Sequence, residues 1–487
     1  MKLDYAALFN ALRPEAHLAL GALLVLGFDI FWARHRPANR HHVALALGLL
    51  ALGLAAWKAV TPGGAGPVHG GMLMIDTLTV ATRAGVIGLA ALALCLLPSP
   101  SRLRHPAEFV AILLFATTGF TLMAAANQLL IVFLAVELAS LSLYVLAGFD
   151  KTCPESAEAA LKYFLFGGMS AAFLLFGFSL LYGLTGSLDL GGIATQLAAQ
   201  GPSPLLLVAL GMVLVAFGFK AAAAPFHLWA PDVYQGAPSP AAALIASASK
   251  LAGLVVFTRL LWPGLGSTVG AIAHLPITVG WAPVVALVAG ASLLVGNIGA
   301  LAQSNVRRLL AYSAIAHAGA LLLGVIAAGR VGPAPLFYYA STYGLATVGA
   351  FGVLSVLEAT GPAQKLIDVA GLHQRSPLLA GCLAIFVLSL AGIPPLAGFF
   401  GKFAVFAAVL RLGGLAGPVG WLAILAIALS AVALYYYLLI LKQALVARPA
   451  AEAAPVRVPL PAALALLISA ALLVLLGVFP SWILGLF

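Results

Sequence analysis

Apolar stretches of about 20 residues follow one another along nearly the whole chain, each long enough to cross a ~30 Å hydrocarbon core as a helix. That pattern leaves few folds open. Lipid offers no hydrogen-bond partners, so only helices and closed barrels satisfy their own backbone there. Barrel strands alternate apolar and polar residues over ~10 positions, and these stretches are too long and too evenly apolar for that. Of 487 residues, 63% are hydrophobic and 8% charged, where a soluble domain carries about 25% charge. The fold class is therefore an all-α polytopic membrane protein.

The runs predict 14 transmembrane helices, at 14–33, 41–60, 72–97, 107–126, 128–149, 158–183, 203–235, 237–260, 277–301, 306–327, 334–358, 377–411, 417–444 and 458–486. The net charge of +10 would suggest nucleic acid in a soluble protein. Here the basic residues sit mostly in short loops and read as topology signals, so no nucleic acid is expected. With the N-terminus outside, thirteen Lys and Arg, among them Arg34, Arg36, Arg40 and Arg102, fall in inside loops. Six, from Lys2 to Arg411, fall outside. That bias predicts both termini on the side away from the cytoplasm. No cleavable signal pattern precedes the first span.

Cys95, Cys153 and Cys382 lie far apart without CxxC spacing, which gives no case for a disulfide, zinc or an iron–sulfur cluster. His41 and His42 lack a third ligand nearby. No glycine-rich phosphate loop is present, so no nucleotide site is expected in this chain.

Two spans are long and carry proline in their middle. Span seven contains Pro225 and Pro231, with Pro238 and Pro240 just beyond its end; span twelve contains Pro394 and Pro395 between Gly392 and Gly398. Proline removes an N–H and clashes with the preceding turn. Paired broken helices in two halves of a chain mark inverted-repeat transporters. The expected organisation is an N-terminal three-helix region (1–106), two inverted five-helix repeats (107–260 and 277–444) and a C-terminal helix (458–486).

Ionisable residues inside spans are costly and point to function. Glu137 lies nine residues into span five, ~14 Å deep at 1.5 Å per residue. Lys250 and His317 are as central in spans eight and ten. Lys220 precedes Pro225 by five residues and Lys402 follows Pro395 by seven. Glu137 to His317 is 180 positions and Lys220 to Lys402 is 182, nearly the same offset, although the two lysines flank their prolines on opposite sides. A proton path needs groups that exchange a proton near neutral pH, and burial in a low dielectric disfavours the charged forms of lysine and glutamate alike. A Glu137–Lys220 ion pair would keep both charged, and its opening would release the lysine proton. The plain alternative is structural pairing and snorkelling; it suits Lys162, near a span end, as well as a path does. It does not suit Lys220, Lys250 or Lys402, whose ~6 Å stems cannot reach the interface from mid-membrane. His227 reads equally as a relay or as a partner for broken-helix carbonyls. Asp29 and Glu358, near span ends, read as solvated. Asp76 and Arg83 read as a pair on one face of span three. The run Tyr435–Tyr437 reads as packing, with one hydroxyl free to order water.

Several stretches resemble a known family. "VELASLSLYVLAGF" with Glu137, "ALKYFLFGGMSAAFLLFGFSLLYGLTGS" with Lys162, "FKAAAAPFHLWAPDVYQGAPSP" with Lys220 and His227, and "SASK" with Lys250 are similar to the antiporter-like subunits of proton-pumping NADH:quinone oxidoreductase, respiratory complex I. So are "GNIGALAQSNVRRLLAYSAIAHAG" with His317 and "LAGIPPLAGFFGKF" with Lys402. The resemblance covers residues 70–445. The DVYQGAP continuation, the lysine in helix twelve and the lack of a long lateral helix favour the chain N type over its sisters L and M. The resemblance implies a multi-pass subunit of the bacterial inner membrane, with both termini periplasmic. It implies a proton path of Glu137, Lys220, Lys250 and Lys402, with His317, His227 and Lys162 secondary. Partners would be chains of M, K, J and A types, and redox cofactors and quinone would belong to partner chains. Rival readings are a subunit of a multisubunit cation/proton antiporter and a non-pumping membrane scaffold.

Overall fold

The structure is a computed structural model that describes residues 5–32, 37–97, 103–201, 203–270, 280–361, 363–415, 417, 419–449 and 455–487. Lys2, Arg34, Arg36 and Arg102 lie outside the described residues. The principal helices are α1 (Arg13–Phe31), α2 (Pro37–Val60), α3 (Thr77–Leu94), α4 (Pro106–Ala125), α5 (Leu129–Ala147), α6 (Pro154–Thr185), α7 (Pro204–Ala221), α8 (Trp229–Gly236), α9 (Ser239–Ala246), α10 (Ala248–Arg259), α11 (Trp281–Leu301), α12 (Val306–Val331), α13 (Ala334–Glu358), α14 (Pro377–Ala391), α15 (Ala397–Leu410), α16 (Gly420–Leu445) and α17 (Leu460–Val478). Among the described residues, 13 helical segments are long and apolar enough to cross a membrane, α9 and α10 counting together within one of them; α14 and α15 are shorter apolar helices in series.

Local chemistry sets the boundaries. α4, α6, α7 and α14 begin on proline, whose missing N–H costs nothing in a first turn. Asp76 caps α3 through the Thr79 amide, and Asn305 caps α12 through Arg307 and Arg308. Both expected interruptions are present: residues 222–228 separate α7 from α8, and 392–396 separate α14 from α15. The sequence pattern missed two elements. A hairpin of Gly66–Val68 and Leu73–Ile75 precedes α3, which therefore starts later than residue 72. An 11-residue helix, Leu190–Gln200, follows α6.

The middle of the chain is the core. α12 and α13 bury 94% of their apolar window, while α6 and α16 bury 33%; the latter pair form the outer wall. Close packing relies on small residues. A Cβ on Gly119 of α4 would fall 2.6 Å from the Ala139 amide nitrogen of α5. A Cβ on Gly296 of α11 would fall 2.3 Å from the Ala316 amide nitrogen of α12. Both members of the second contact lie 177 residues beyond the first (296 − 119 and 316 − 139). The same offset links the bridges Gln128–Asp189 and Asn305–Lys365, whose first members are 177 apart and second members 176.

Charges at the bundle's ends differ from expectation. Asp76 and Arg83 do not pair. Asp76 binds Arg259 of α10, 183 positions away, whereas Arg83 turns inward to Glu15 of α1 at 2.8 Å. Burial works to raise the Asp76 carboxyl, but the charge and hydrogen bond of Arg259, with the Thr79 amide and hydroxyl, hold it below its ordinary value. Asp29 and Glu358 are paired rather than simply solvated, with Arg40 at 2.6 Å and Arg307 at 3.1 Å.

The Glu15–Arg83 side chains are only 8% and 2% exposed. Removing one partner of a buried pair strands the other, at a cost of about 3 kcal/mol. Arg83→Met should therefore lower the melting temperature of the detergent-solubilised protein markedly. The double substitution Glu15→Gln/Arg83→Met should recover most of the loss, and a double variant as unstable as the single would contradict this account.

Candidate functional site

The site begins where α7 stops. Its last turn carries Lys220, and the chain turns out of the helix at Ala222, which takes the left-handed φ of 56°. That conformation costs an alanine about 1 kcal/mol, so the surroundings hold it. The Ala224 amide donates to Ser292 Oγ of α11 at 2.8 Å, and Trp229 Nε1 donates to the Phe219 carbonyl at 3.2 Å. The buried Lys220 ammonium donates to Ser140 Oγ of α5 at 3.1 Å. Glu137, one turn earlier on α5, shares with Lys220 a crevice of about 300 Å³ lined also by Tyr144 and Ser170. The expected direct Glu137–Lys220 ion pair is not formed among the described residues; the Ser140 hydroxyl takes the ammonium instead. Glu137 is half-buried and sits on the outward stripe of α5, between the exposed Leu134 and Leu141.

The next cation stands at a break the sequence did not show. Span eight is divided at Ser247, whose φ of −113° and ψ of −83° interrupt the helix between α9 and α10. No proline marks it; the Ser247 hydroxyl donates back to the Ala243 carbonyl at 2.6 Å. Lys250 follows in the first turn of α10. Its ammonium donates to the Ala314 carbonyl of α12 at 2.5 Å and lies 5.3 Å from the centre of the Tyr343 ring.

His317, three residues after Ala314, faces α13 and α16. Its Nδ1 lies 2.6 Å from Tyr339 Oη and its Nε2 3.1 Å from Tyr437 Oη. A second crevice, about 280 Å³, joins His317, Tyr339, Asn297, Tyr436 and Lys402. Lys402, on α15, donates to the Ala391 carbonyl of α14 at 2.9 Å. This resolves the mismatch between the two lysines. Lys220 precedes its break and Lys402 follows its own, yet Lys220 sits in the last turn of the helix that enters its break and the Lys402 ammonium reaches the last carbonyl of the helix that enters the other. The C-terminal end of a helix carries unpaired carbonyls and the negative pole of the helix dipole. The glycine register refines the other pairing: the position 177 after Glu137 is Ala314, and 177 after Ser140 is His317. His317 thus stands 177 positions after the serine that receives Lys220.

Lys162 and His227 lie apart from this series. Lys162 pairs with Glu158 and Asp232, each at 2.6 Å, and Asp232 also binds Arg308 at 2.5 Å. His227 lies half-buried in the segment after Pro225, with the Pro225 backbone as its hydrogen-bond partner, while Trp229 serves the Phe219 carbonyl before the break. Of the tyrosine run, Tyr435 is 60% exposed while Tyr436 and Tyr437 are 1% exposed, so two of the three belong to the site. Ser140, Ser313, Tyr339 and Tyr343 were not singled out beforehand. The signal was there in YYASTY, five polar-tipped residues packed into an apolar span.

Comparison with known proteins agrees. Residues 126–438 match the family described as NADH:quinone oxidoreductase/Mrp antiporter, TM. NADH-quinone oxidoreductase subunit N 2 of Acidobacterium capsulatum is 49% identical, over 98% of each chain. A chain of respiratory complex I from Thermus thermophilus is 35% identical with a TM-score of 0.80, over 97% of this chain and 98% of that one. A chain of the Mrp complex from Dietzia sp. DQ12-45-1b shares the fold at a TM-score of 0.80 and 20% identity, over 99% and 96%. The chain is a multi-pass membrane protein that belongs to the NADH:quinone oxidoreductase/Mrp antiporter family and, within it, to the NADH-quinone oxidoreductase subunit N group.

Proposed function

We propose that this chain is a proton-translocating subunit of an NADH:quinone oxidoreductase. Protons would pass along Glu137, Lys220, Lys250, His317 and Lys402 while quinone is reduced in partner chains that hold the redox cofactors. The supporting observation is a division of labour among buried cations. The buried arginines Arg83, Arg259 and Arg307 each pair with a carboxylate. The buried lysines Lys220, Lys250 and Lys402 each donate to a neutral oxygen. Arginine effectively never loses its proton, so a charged partner is its only comfortable state. Lysine can lose its proton, and a hydroxyl or carbonyl with adjoining space suits both of its states. Groups meant only to hold helices together would be paired as the arginines are.

The proposal extends to organisation. Residues 107–260 and 277–444 would be inverted repeats, a reading supported by the constant offset of the glycine crossings and bridges. The path would run within a 14-span protein of the bacterial inner membrane with both termini periplasmic. The outward Glu137, half-buried on an otherwise apolar stripe, suits cover by a neighbouring membrane subunit, for which chains of the M, K, J and A types are the candidates. Lys162 and His227 would serve at the margin, Lys162 within its Glu158–Asp232–Arg308 network.

Glu137→Gln keeps the side chain's size and removes its charge. The assembled complex should show reduced pumping and reduced quinone reductase activity, because coupled chemistry stalls with proton transfer. Normal proton-to-electron stoichiometry at normal turnover would remove Glu137 from the path.

Lys250→Arg and Lys402→Arg keep the positive charge and bulk but fix the proton. In assembled complex, each should lower coupled turnover by on the order of tenfold or more, with electron transfer from NADH to an artificial upstream acceptor intact. Near-normal pumping in both arginine variants would favour the scaffold reading.

A further inference from the structure

His317 is held at both ring nitrogens by hydroxyls, Tyr339 Oη on Nδ1 and Tyr437 Oη on Nε2. Tyr437 Oη in turn meets Ser313 Oγ. All four side chains are at most 5% exposed. The two hydroxyls point to different lysines. Tyr339 lines the Lys402 crevice, and its ring rests on Gly401, where a Cβ would come within 2.7 Å of Tyr339 Cδ2. Ser313 adjoins Ala314, whose carbonyl receives Lys250. Tyr343 packs between, its ring centre 5.3 Å from Lys250 Nζ and 4.8 Å from that of His317.

A neutral imidazole donates at one nitrogen and accepts at the other. A carbonyl or carboxylate on one nitrogen fixes the tautomer. A hydroxyl both donates and accepts, so hydroxyls on both nitrogens satisfy either tautomer equally. With Nδ1–H donating to Tyr339, Nε2 accepts from Tyr437, whose oxygen accepts from Ser313. In the other tautomer every donor is reversed, with no bond lost. Packing alone would be served as well by phenylalanine.

We propose that Ser313, Tyr437, His317 and Tyr339 form a hydroxyl–imidazole wire that hands protons between the Lys250 and Lys402 sides of the path. The inference rests on the proton-path reading and names the groups through which the two lysines communicate. In one passage the Lys250 ammonium gives up a proton at the Ser313 end. Ser313 passes its own to Tyr437, Tyr437 passes its own to Nε2, Nδ1 releases its proton to Tyr339, and Tyr339 releases its own to a neutral Lys402 amine. Water bridges the gaps at the two ends. One proton enters and one leaves, no electrons move, and the wire is left in the opposite polarity until its hydroxyls and ring reorient.

The test uses Tyr437→Phe and Tyr339→Phe separately, in the assembled complex reconstituted in liposomes. The readouts are quinone reductase turnover, proton-to-electron ratio and solvent deuterium isotope effect, with NADH oxidation by an artificial acceptor as the assembly control. Each variant should keep the control activity, lose coupled turnover by on the order of tenfold and show a raised isotope effect, which loss of packing alone would not produce. Ser313→Ala serves where a ring variant does not assemble: a loss of proton ratio or a raised isotope effect supports the wire, and wild-type values overturn it. Wild-type turnover, ratio and isotope effect in both phenylalanine variants, with Lys250→Arg and Lys402→Arg still blocked, overturn the wire and leave the path standing. If the arginine variants are also normal, the path itself falls.

Discussion

An ammonium group in the middle of a bilayer needs an oxygen, and here it finds one on a side-chain hydroxyl, Ser140, on a carbonyl within a helix, Ala314, or on a carbonyl at a helix end, Ala391. Two of these three lysines stand beside proline breaks. α7 ends so that Lys220 sits in a terminal turn, and α14 ends so that the Ala391 carbonyl is free for Lys402. Every freed group near these breaks then needs its own partner. Ser292, Trp229 and Ser389 supply them, the last accepting from the Gly398 amide at 3.2 Å. The packing of α11 against the first break follows from the same need.

Lys220, Lys250 and Lys402 each have a neutral oxygen as partner, where a carboxylate in contact would favour the charged form. The carboxylates Glu15, Asp76 and Glu358 pair instead with arginines toward helix ends, and Glu158 and Asp232 with the half-buried Lys162. Glu137 shares a crevice with Lys220, while the lysine's hydrogen bond goes to the Ser140 hydroxyl.

Much of this was legible in the sequence, for particular physical reasons. Charges stand out in spans where a charge is expensive, so Glu137, Lys220, Lys250, His317 and Lys402 were visible as candidates. Pro225 and the Pro394–Pro395 pair cannot sit unnoticed inside a helix, so both breaks were visible too. The break at Ser247 was hidden because serine is compatible with a helix and leaves no mark. The partners of Asp76 and Arg83 were hidden because a seven-residue spacing on one helix is a local fact, while Arg259 and Glu15 come from other helices. Tyr437 read as packing because its ring does pack; its burial and the placement of its hydroxyl separate it from the exposed Tyr435.

The near-constant offset of 176 to 177 residues bears on how the chain is built during synthesis. Each half closes on itself: the segment before α5 bridges to the segment after α6, and the one before α12 to the one after α13. These closures span about sixty residues (189 − 128 = 61; 365 − 305 = 60), so each completes once its own hairpin has emerged from the ribosome and needs nothing from the other half. Contacts across the halves, such as Ser292 on the α7 break and Arg308 on Asp232, come only with α11 and α12. Until α11 arrives, the Ala224 amide at the first break lacks its Ser292 partner, although Trp229 already serves the Phe219 carbonyl. Co-translational assembly thus has a natural vulnerable interval, between the emergence of α10 and that of α12.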